Sequence, residues 1–271
     1  MRLAGKVAIV TGASRGVGKS VALALARAGC DVVVAAKTSE VNAKLPGTIH
    51  DTAAEVEKLG RRALAVPCNV REFEDVERLR ARTLEAFGRI DFLVNNAGAL
   101  FWSDVADWAP GKFDLVMDVN VRGAFLCSRA VIPAMRAQGG GRIVMMAPPI
   151  GTRKLAGKAP YLISKMGMTM LALAIAEEEK AHRIAANALW PVTLIESQAV
   201  RHFEFGKPEE WRRADILADA TVELCAAPPE VTGRALYDEE VLRERCGLSD
   251  FSRYSVVEGA RPGPVCREMV E

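Results

Sequence analysis

The stretch KVAIVTGASRGVGKSVALALARAG, Lys6–Gly29, decides how the rest of the chain is read. Lys6–Val10 is a short, almost wholly apolar run, which suits a strand covered on both faces better than one that alternates. Glycines follow at once, and Val17–Ala28 then has the apolar spacing of a helix. A strand, a glycine turn and a helix in that order let a diphosphate approach the backbone. It then meets free N–H groups at the positive end of the helix dipole. Any strand-to-helix turn can use glycine, so the flanking elements matter. With both present, the turn is read as a dinucleotide site made by Gly12, Ser14, Arg15, Gly16, Val17 and Gly18.

The same alternation continues along the chain. Strand-like runs occupy Asp31–Ala36, Arg62–Val66, Ile90–Val94, Arg142–Met146 and Arg183–Leu189, with a weaker seventh at Gly233–Tyr237. Helix-like segments lie at Thr52–Leu59, Phe73–Phe87, Phe113–Arg136, Pro160–Lys180 and Pro208–Ala226, and Phe113–Arg136 is expected to split near Asn120. This order predicts an α/β fold: one Rossmann-type, doubly wound parallel sheet of about seven strands with helices on both faces. Residues 1–237 are read as that domain, and residues 238–271 as a C-terminal extension packed on the same domain or at a subunit interface. Lys37–His50 is a polar loop inserted after the second strand.

Bulk properties exclude several classes. With 271 residues, half of them hydrophobic, the chain can bury a large core. A net charge of +2 gives no reason to expect nucleic acid or an anionic membrane as partner. The six cysteines and three histidines are scattered without metal-ligand spacing, so no metal site and a reducing compartment are expected. The N-terminus runs straight into the strand and turn, so no leader is expected. No run is read as long enough to span a bilayer, and the default location is cytoplasmic.

Cofactor choice is read from the end of the second strand. Sites for NAD place an acid there to hold the ribose 2′-hydroxyl; here Ala36 stands in that place and Lys37 follows. Lys37 and Arg15 suit a 2′-phosphate, which favours NADP(H) over NAD; the alternative is two solvated surface charges. NNAG (Asn95–Gly98) ends the fourth strand, and Asn96, Ala97 and Gly98 are placed along the cofactor crevice. Asn69, after the third strand, is read as a turn residue that also touches the cofactor and can hydrogen-bond the adenine, and Val70 is assigned to the cofactor with it. Tyr161 and Lys165 are four residues apart, so they share a helix face. A phenol of pKa about 10 is a poor base near neutrality, but an adjacent ammonium and a cationic nicotinamide favour the phenolate. Tyr161 is thus the candidate acid/base and Lys165 its support.

TGASRGVG, NNAG, Asn120 in DVNVRGAF, and YLISK stand in the order and setting of the short-chain dehydrogenase/reductase family, which the chain resembles from Leu3 to Tyr237. Within it the chain is similar to the hydroxysteroid-dehydrogenase-like and citronellol/citronellal dehydrogenase branch. That likeness rests on VVVAAKT, KLPGTI, APP, NALWP and the tail DEEVLRE…DFSRY. The resemblance implies hydride transfer between a nicotinamide cofactor and a small-molecule alcohol or carbonyl, in a homodimer or homotetramer. It also implies that Asn120 holds a water in a proton relay through Lys165, completing a catalytic set of Tyr161, Lys165 and Asn120. By the same comparison Trp190–Pro191 opens the nicotinamide-side loop, Pro191 and Thr193 join Tyr161 and Lys165 around the cofactor, and Ser197 is a further contact.

One family feature is missing. The serine expected at the end of the fifth strand is replaced by Ala147–Pro148. Losing such a donor costs on the order of 10²–10³ in rate, against accelerations from about 10⁶ upward. A slow enzyme therefore remains feasible, with Thr152 or a water as substitute donor. Ser164 is expected simply to pack.

Val192–Pro208 follows the sixth strand, where this fold places a lid. Phe203, Phe205 and Val200, with Leu100, Phe101, Trp102, Met145 and Met146, are candidates to line an apolar substrate pocket, although such residues equally serve as core. Ala147, Pro148 and Phe203 are assigned to the substrate, and Arg201 and His202 are candidates to meet a carboxylate or phosphate. Two functions stay open. One is an NADP(H)-dependent oxidoreductase interconverting an alcohol and a carbonyl on an apolar small molecule. The other is a catalytically silent NADP(H)-binding sensor or scaffold.

Overall fold

The apolar run after Lys6 forms β1 (Val7–Thr11), and all of it is buried. The computed structural model describes residues 1–41, 46–151, 153 and 155–269. Its further strands are β2 (Asp31–Ala36), β3 (Ala63–Pro67), β4 (Phe92–Asn95), β5 (Gly141–Met146), β6 (Ile184–Trp190), β7 (Leu194–Ile195), β8 (Trp211–Arg212) and β9 (Arg234–Tyr237). Seven of these make one sheet in the order β3-β2-β1-β4-β5-β6-β9, and every pairing in it is parallel. Pleating sends successive β1 residues to opposite faces. Ala8 and Val10 pack with α1 (Gly16–Ala28), α2 (Ile49–Lys58) and later helices. Val7 and Ile9 pack with α3 (Phe73–Phe87), α5 (Gly123–Ala137) and α6 (Ala159–Glu178). The strand order reverses between β1 and β4. In a doubly wound sheet the crevice at such a point, outside the carboxyl ends of the strands, is where ligands bind.

Local chemistry moves several boundaries. Helix α2 starts earlier than the apolar pattern suggests, because Thr48 and Asp51 form a capping box: Thr48 Oγ1 accepts from Asp51 N at 3.1 Å and Asp51 Oδ2 accepts from Thr48 N at 2.9 Å. The segment around Asn120 splits into α4 (Pro110–Met117), a π turn (Asp118–Arg122) and α5 (Gly123–Ala137). The helix expected over Pro208–Ala226 is shorter. Its first part is instead paired: Leu194 sits opposite Trp211 and Ile195 opposite Arg212, while Trp211 Nε1 donates to Phe205 O at 2.6 Å. The helix proper is α8 (Asp215–Cys225), preceded by a short α7 (Gln198–His202) in the lid segment.

Helix α6 (Ala159–Glu178) corrects another expectation: by length and composition it is apolar enough to cross a membrane. Half of that apolar window is buried in the fold, where Leu162, Met168, Ala172 and Ile175 face inward. Ile163, Met166 and Met170 remain exposed on its other side.

Beyond β9, α9 (Asp238–Cys246) packs on α8, with Val241 and Leu242 buried. Phe251 and Tyr254 are buried in the same core. The chain then returns to the carboxyl end of β6, where Cys266 N donates to Val192 O at 3.1 Å. Asp238 clamps the same residue from the other side: its Oδ1 accepts from Val192 N at 3.1 Å and Glu239 N at 2.8 Å, while Oδ2 has no partner among the described residues. Burial pushes the Asp238 carboxyl up to about 7, so the fold favours its protonated form. Its stabilising contribution is complete below the unfolded value of 3.8 and is lost as pH rises through about 7. Each unit of displacement is worth about 1.4 kcal/mol. Melting temperatures measured between pH 4.5 and 8.5 should show Asp238→Asn gaining on the parent protein as pH rises; a difference independent of pH would refute this account.

Candidate active site

The glycine turn and the end of β4 are built against each other. Asn96 Nδ2 donates to Thr11 O at 2.9 Å and to Gly12 O at 3.2 Å, and Thr11 Oγ1 accepts from both Asn96 N and Ala97 N. A Cβ on residue 18 would lie 2.4 Å from Asn96 Nδ2 and from Gly12 O, so only glycine fits there. Helix α1 has no side-chain cap and no acid in its first turn. Its N-terminal N–H groups and dipole thus face the crevice without a protein anion, which fits a diphosphate.

That crevice, a cavity of about 480 Å³, is lined by Gly12, Ser14, Arg15, Asn69, Val70, Asn96, Ala97 and Gly98, with Lys37 at one end and Tyr161 and Lys165 at the other. Gly16 and Gly18 shape the turn without lining the cavity, and Val17 faces a second cavity instead. Ala36 is buried where an acid would have stood, and Lys37 is exposed. Arg15 is steered by the inserted loop: Nε donates to Pro46 O at 3.1 Å and Nη2 to Gly47 O at 2.8 Å. Asn69 is also a turn residue, since Oδ1 accepts from Arg71 N at 3.4 Å and Nδ2 donates to Glu72 at 3.2 Å.

At the other end, α6 carries Tyr161 and Lys165 into the crevice. Lys165 is buried, and its Nζ donates to Met146 O, at the end of β5, at 3.0 Å. The same nitrogen lies 5.9 Å from the Tyr161 ring centroid. Burial brings the ammonium down to about 8 and pushes the Tyr161 phenol above its usual range. This corrects the expected electrostatics: in this state desolvation outweighs any pull of Lys165 on the phenol, which stays protonated.

Asn120 is fully buried in the π turn, an irregularity found often at functional sites. Its Oδ1 accepts from Ala99 N at 2.7 Å, and Nδ2 donates to Ala99 O at 3.0 Å and to Ser164 Oγ at 2.9 Å. Ser164 Oγ in turn donates to Tyr161 O at 2.7 Å. Ser164 therefore does more than fill space: it couples the π turn to the turn of α6 that bears the phenol. Its i+3 spacing from Tyr161 was visible in sequence, but its partner across the fold was not.

The second cavity, about 440 Å³, opens on the far side of Tyr161 and is mainly apolar. Ala147, Pro148, Pro191 and Thr193 line it, together with Leu100, Trp102, Met146, Val200 and Phe205. Ala147 is buried, held by its N–H to Leu189 O at 3.1 Å, and brings only a methyl group. Thr152, the suggested substitute donor, lies outside the described residues. Phe203 does not line the cavity: it stacks behind Phe205, centroids 5.6 Å apart, because α7 turns its side chain one layer outward. Met145 is core beside Asn95, and Phe101 packs edge-on against Trp108. Arg201 pairs with Glu196 on the surface, and His202 is exposed. Ser197 caps α7, accepting from Val200 N at 3.2 Å, and faces both cavities. Sequence reasoning missed Val265 and Cys266, which close the cavity wall from the far end of the chain. No local signal marks them.

A family model described as short chain dehydrogenase matches residues 6–203. Hydroxysteroid dehydrogenase-like protein 2 of Bos taurus is 39% identical over 261 residues, which cover 95% of this chain and 62% of that protein. The chain thus spans about three-fifths of the length of that curated relative. Among solved structures, a short chain dehydrogenase of Mycobacterium thermoresistibile superposes with a TM-score of 0.90 at 36% identity, covering 99% of this chain and 96% of the other. Carveol dehydrogenase of Mycobacterium avium, in complex with NAD, gives 0.78 at 27% identity, covering 87% and 96%. With the parallel sheet, the glycine turn and the paired Tyr161 and Lys165 in place, the chain belongs to the short-chain dehydrogenase family of oxidoreductases.

Proposed function

We propose that the protein is an NADP(H)-dependent oxidoreductase that interconverts an alcohol and a carbonyl on an apolar small molecule. One observation carries the reading. Tyr161 and Lys165 line both cavities, so the phenol stands where the crevice ending in Lys37 and Arg15 meets the apolar chamber. The NAD held by the carveol dehydrogenase relative supports a nicotinamide cofactor. Lys37 and Arg15, with no acid at Ala36, support its 2′-phosphorylated form. Bound there, that cofactor supplies or accepts the hydride.

The chain's own residues manage the proton. A buried, protonated Tyr161 donates from Oη to the oxygen of a carbonyl being reduced and takes the proton back in the reverse direction. Lys165, desolvated and tied to Met146 O, sets a positive charge beside the phenolate left behind. Asn120 and Ser164 fix the π turn and the start of α6, and so the position of the ring. Where the family serine would donate, Ala147 contributes nothing, and the site runs with one donor fewer. Exposed Ile163, Met166 and Met170 on α6 and Phe125 on α5 suit the homodimer or homotetramer that the family resemblance implies.

A carbonyl panel with NADPH tests this reading. Turnover should fall about 10²–10⁴-fold in Tyr161→Phe. In the parent protein the rate of reduction should hold below pH 8 and decline above it as Lys165, displaced to about 8, loses its proton. Failure of every carbonyl alongside tight NADPH binding would favour the sensor instead. Lys37→Ala should weaken NADPH about tenfold or more with little change for NADH; equal losses would remove the basis for the phosphorylated cofactor. Ala147→Ser should leave activity equal or raise it, up to roughly 10²-fold, and a large fall would mean that the alanine belongs to a different chemistry.

A further inference from the structure

The last segment of the chain forms part of the apolar chamber, and the proposed proton transfer gives it no role. Val265 and Cys266 line that cavity from the far end of the sequence. Cys266 is buried, at 8% exposure, yet it joins neither of the two apolar cores that cover the faces of the sheet. Its bonds run to the segment after β6 instead. Cys266 N donates to Val192 O at 3.1 Å, and Cys266 Sγ donates to Thr193 O at 3.3 Å. Arg267 N reaches the same Val192 carbonyl at 3.4 Å. Short turns stiffen the approach: Val265 N donates to Gly263 O at 2.9 Å, and Glu268 N to Pro264 O at 3.0 Å. The tail is thus a strap fastened across the carboxyl end of β6, beside Thr193 on the chamber wall.

The strap also stands near the phenol. After burial, what pushes the Tyr161 phenol up is the Cys266 thiol, so the two groups are close enough to oppose each other's ionisation. Large rings take up further space there. Trp102 stacks on the Tyr161 ring with centroids 6.2 Å apart, and Phe205 meets Trp102 with centroids 4.6 Å apart. Val265 brings a branched hydrocarbon and Cys266 a neutral thiol, which burial pushes up to about 12. Such a wall discriminates by volume. One methylene more or less in an apolar pocket is worth about 10–200-fold in kcat/KM, because packed side chains give way only at a cost. A tail that served stability alone would add its apolar residues to the core; these two face the chamber.

We infer that Val265 and Cys266 are specificity residues: the strap limits the size of the group that a substrate carries beside its reacting carbon. Aldehydes and methyl ketones then fit better than ketones with two long arms. The inference rests on the reading of Tyr161 as the acid/base and adds no chemical step to it.

The probes are 2-nonanone and 5-nonanone, which have equal numbers of carbons and differ in the smaller arm, methyl against butyl. Assayed with NADPH, the parent protein should favour 2-nonanone by about tenfold or more in kcat/KM. Val265→Ala and Cys266→Ala should each cut that ratio about tenfold by admitting the butyl arm, and Val265→Phe should widen it. Cys266→Ser, which keeps a donor for Thr193 and nearly the same volume, should keep most of the parent's ratio. Retained NADPH binding shows that the variants are folded. A tail with only a structural role would lower both ketones alike. That result, or equal use of the two ketones by the parent, overturns the inference and leaves the proposed function standing. If neither ketone is turned over, calorimetry in the presence of NADPH separates the two claims. A binding preference for 2-nonanone that Val265→Ala or Cys266→Ala reduces upholds the strap while the reading of Tyr161 falls. A fixed preference, equal binding or no binding overturns the strap as well.

Discussion

Asn96 reaches across from the end of β4 and donates to the carbonyls of Thr11 and Gly12, in a space that exists because residue 18 has no side chain. Those bonds close the gap between the two strands at which the sheet changes direction. They leave the N-terminus of α1 uncapped by any side chain and turned towards the crevice. Everything placed at that end of the sheet is positioned relative to them: Arg15 on one side, Gly98 and the π turn on the other. A glycine in α1 and an amide almost eighty positions later are therefore one structural unit.

Desolvation is the second organising force. It moves Tyr161 and Lys165 towards their neutral forms, and only fixed partners moderate that. The Met146 carbonyl holds the ammonium. A phenol so placed stays protonated near neutrality and is a weak acid until a positive charge stabilises its anion. Its environment is unfinished in the protein alone, since the charge that would stabilise its anion has to come with what binds. Ala147 fits that picture, because it leaves the chamber one hydroxyl less polar just where the phenol points its reactivity.

Much of this was legible in sequence, for physical reasons that differ element by element. Strands buried on both faces read as continuous apolar runs, so six of the seven in the sheet were plain, and Gly233–Tyr237 was faint because Arg234 is exposed. Tyr161 and Lys165 were legible because helical spacing is a local property. What could not be read depends on contacts between distant segments. The β7–β8 pairing turned an expected helix into a ribbon because Leu194 meets Trp211. Phe205 rather than Phe203 lines the chamber because α7 sets the rotation of the lid, and two residues are enough to exchange the layers. Ser164 gained a role from Asn120, forty-four positions away.

The two bonds that grip Val192, one from Asp238 and one from Cys266, tie the start of the segment after β6 to a part of the fold made well after it. On a ribosome, all seven strands of the sheet and both residues of the tyrosine–lysine pair emerge before the segment that supplies Val265 and Cys266. A nascent chain can thus acquire its nucleotide crevice well ahead of a closed chamber, and would exist for a time as a holder of cofactor with one wall still missing.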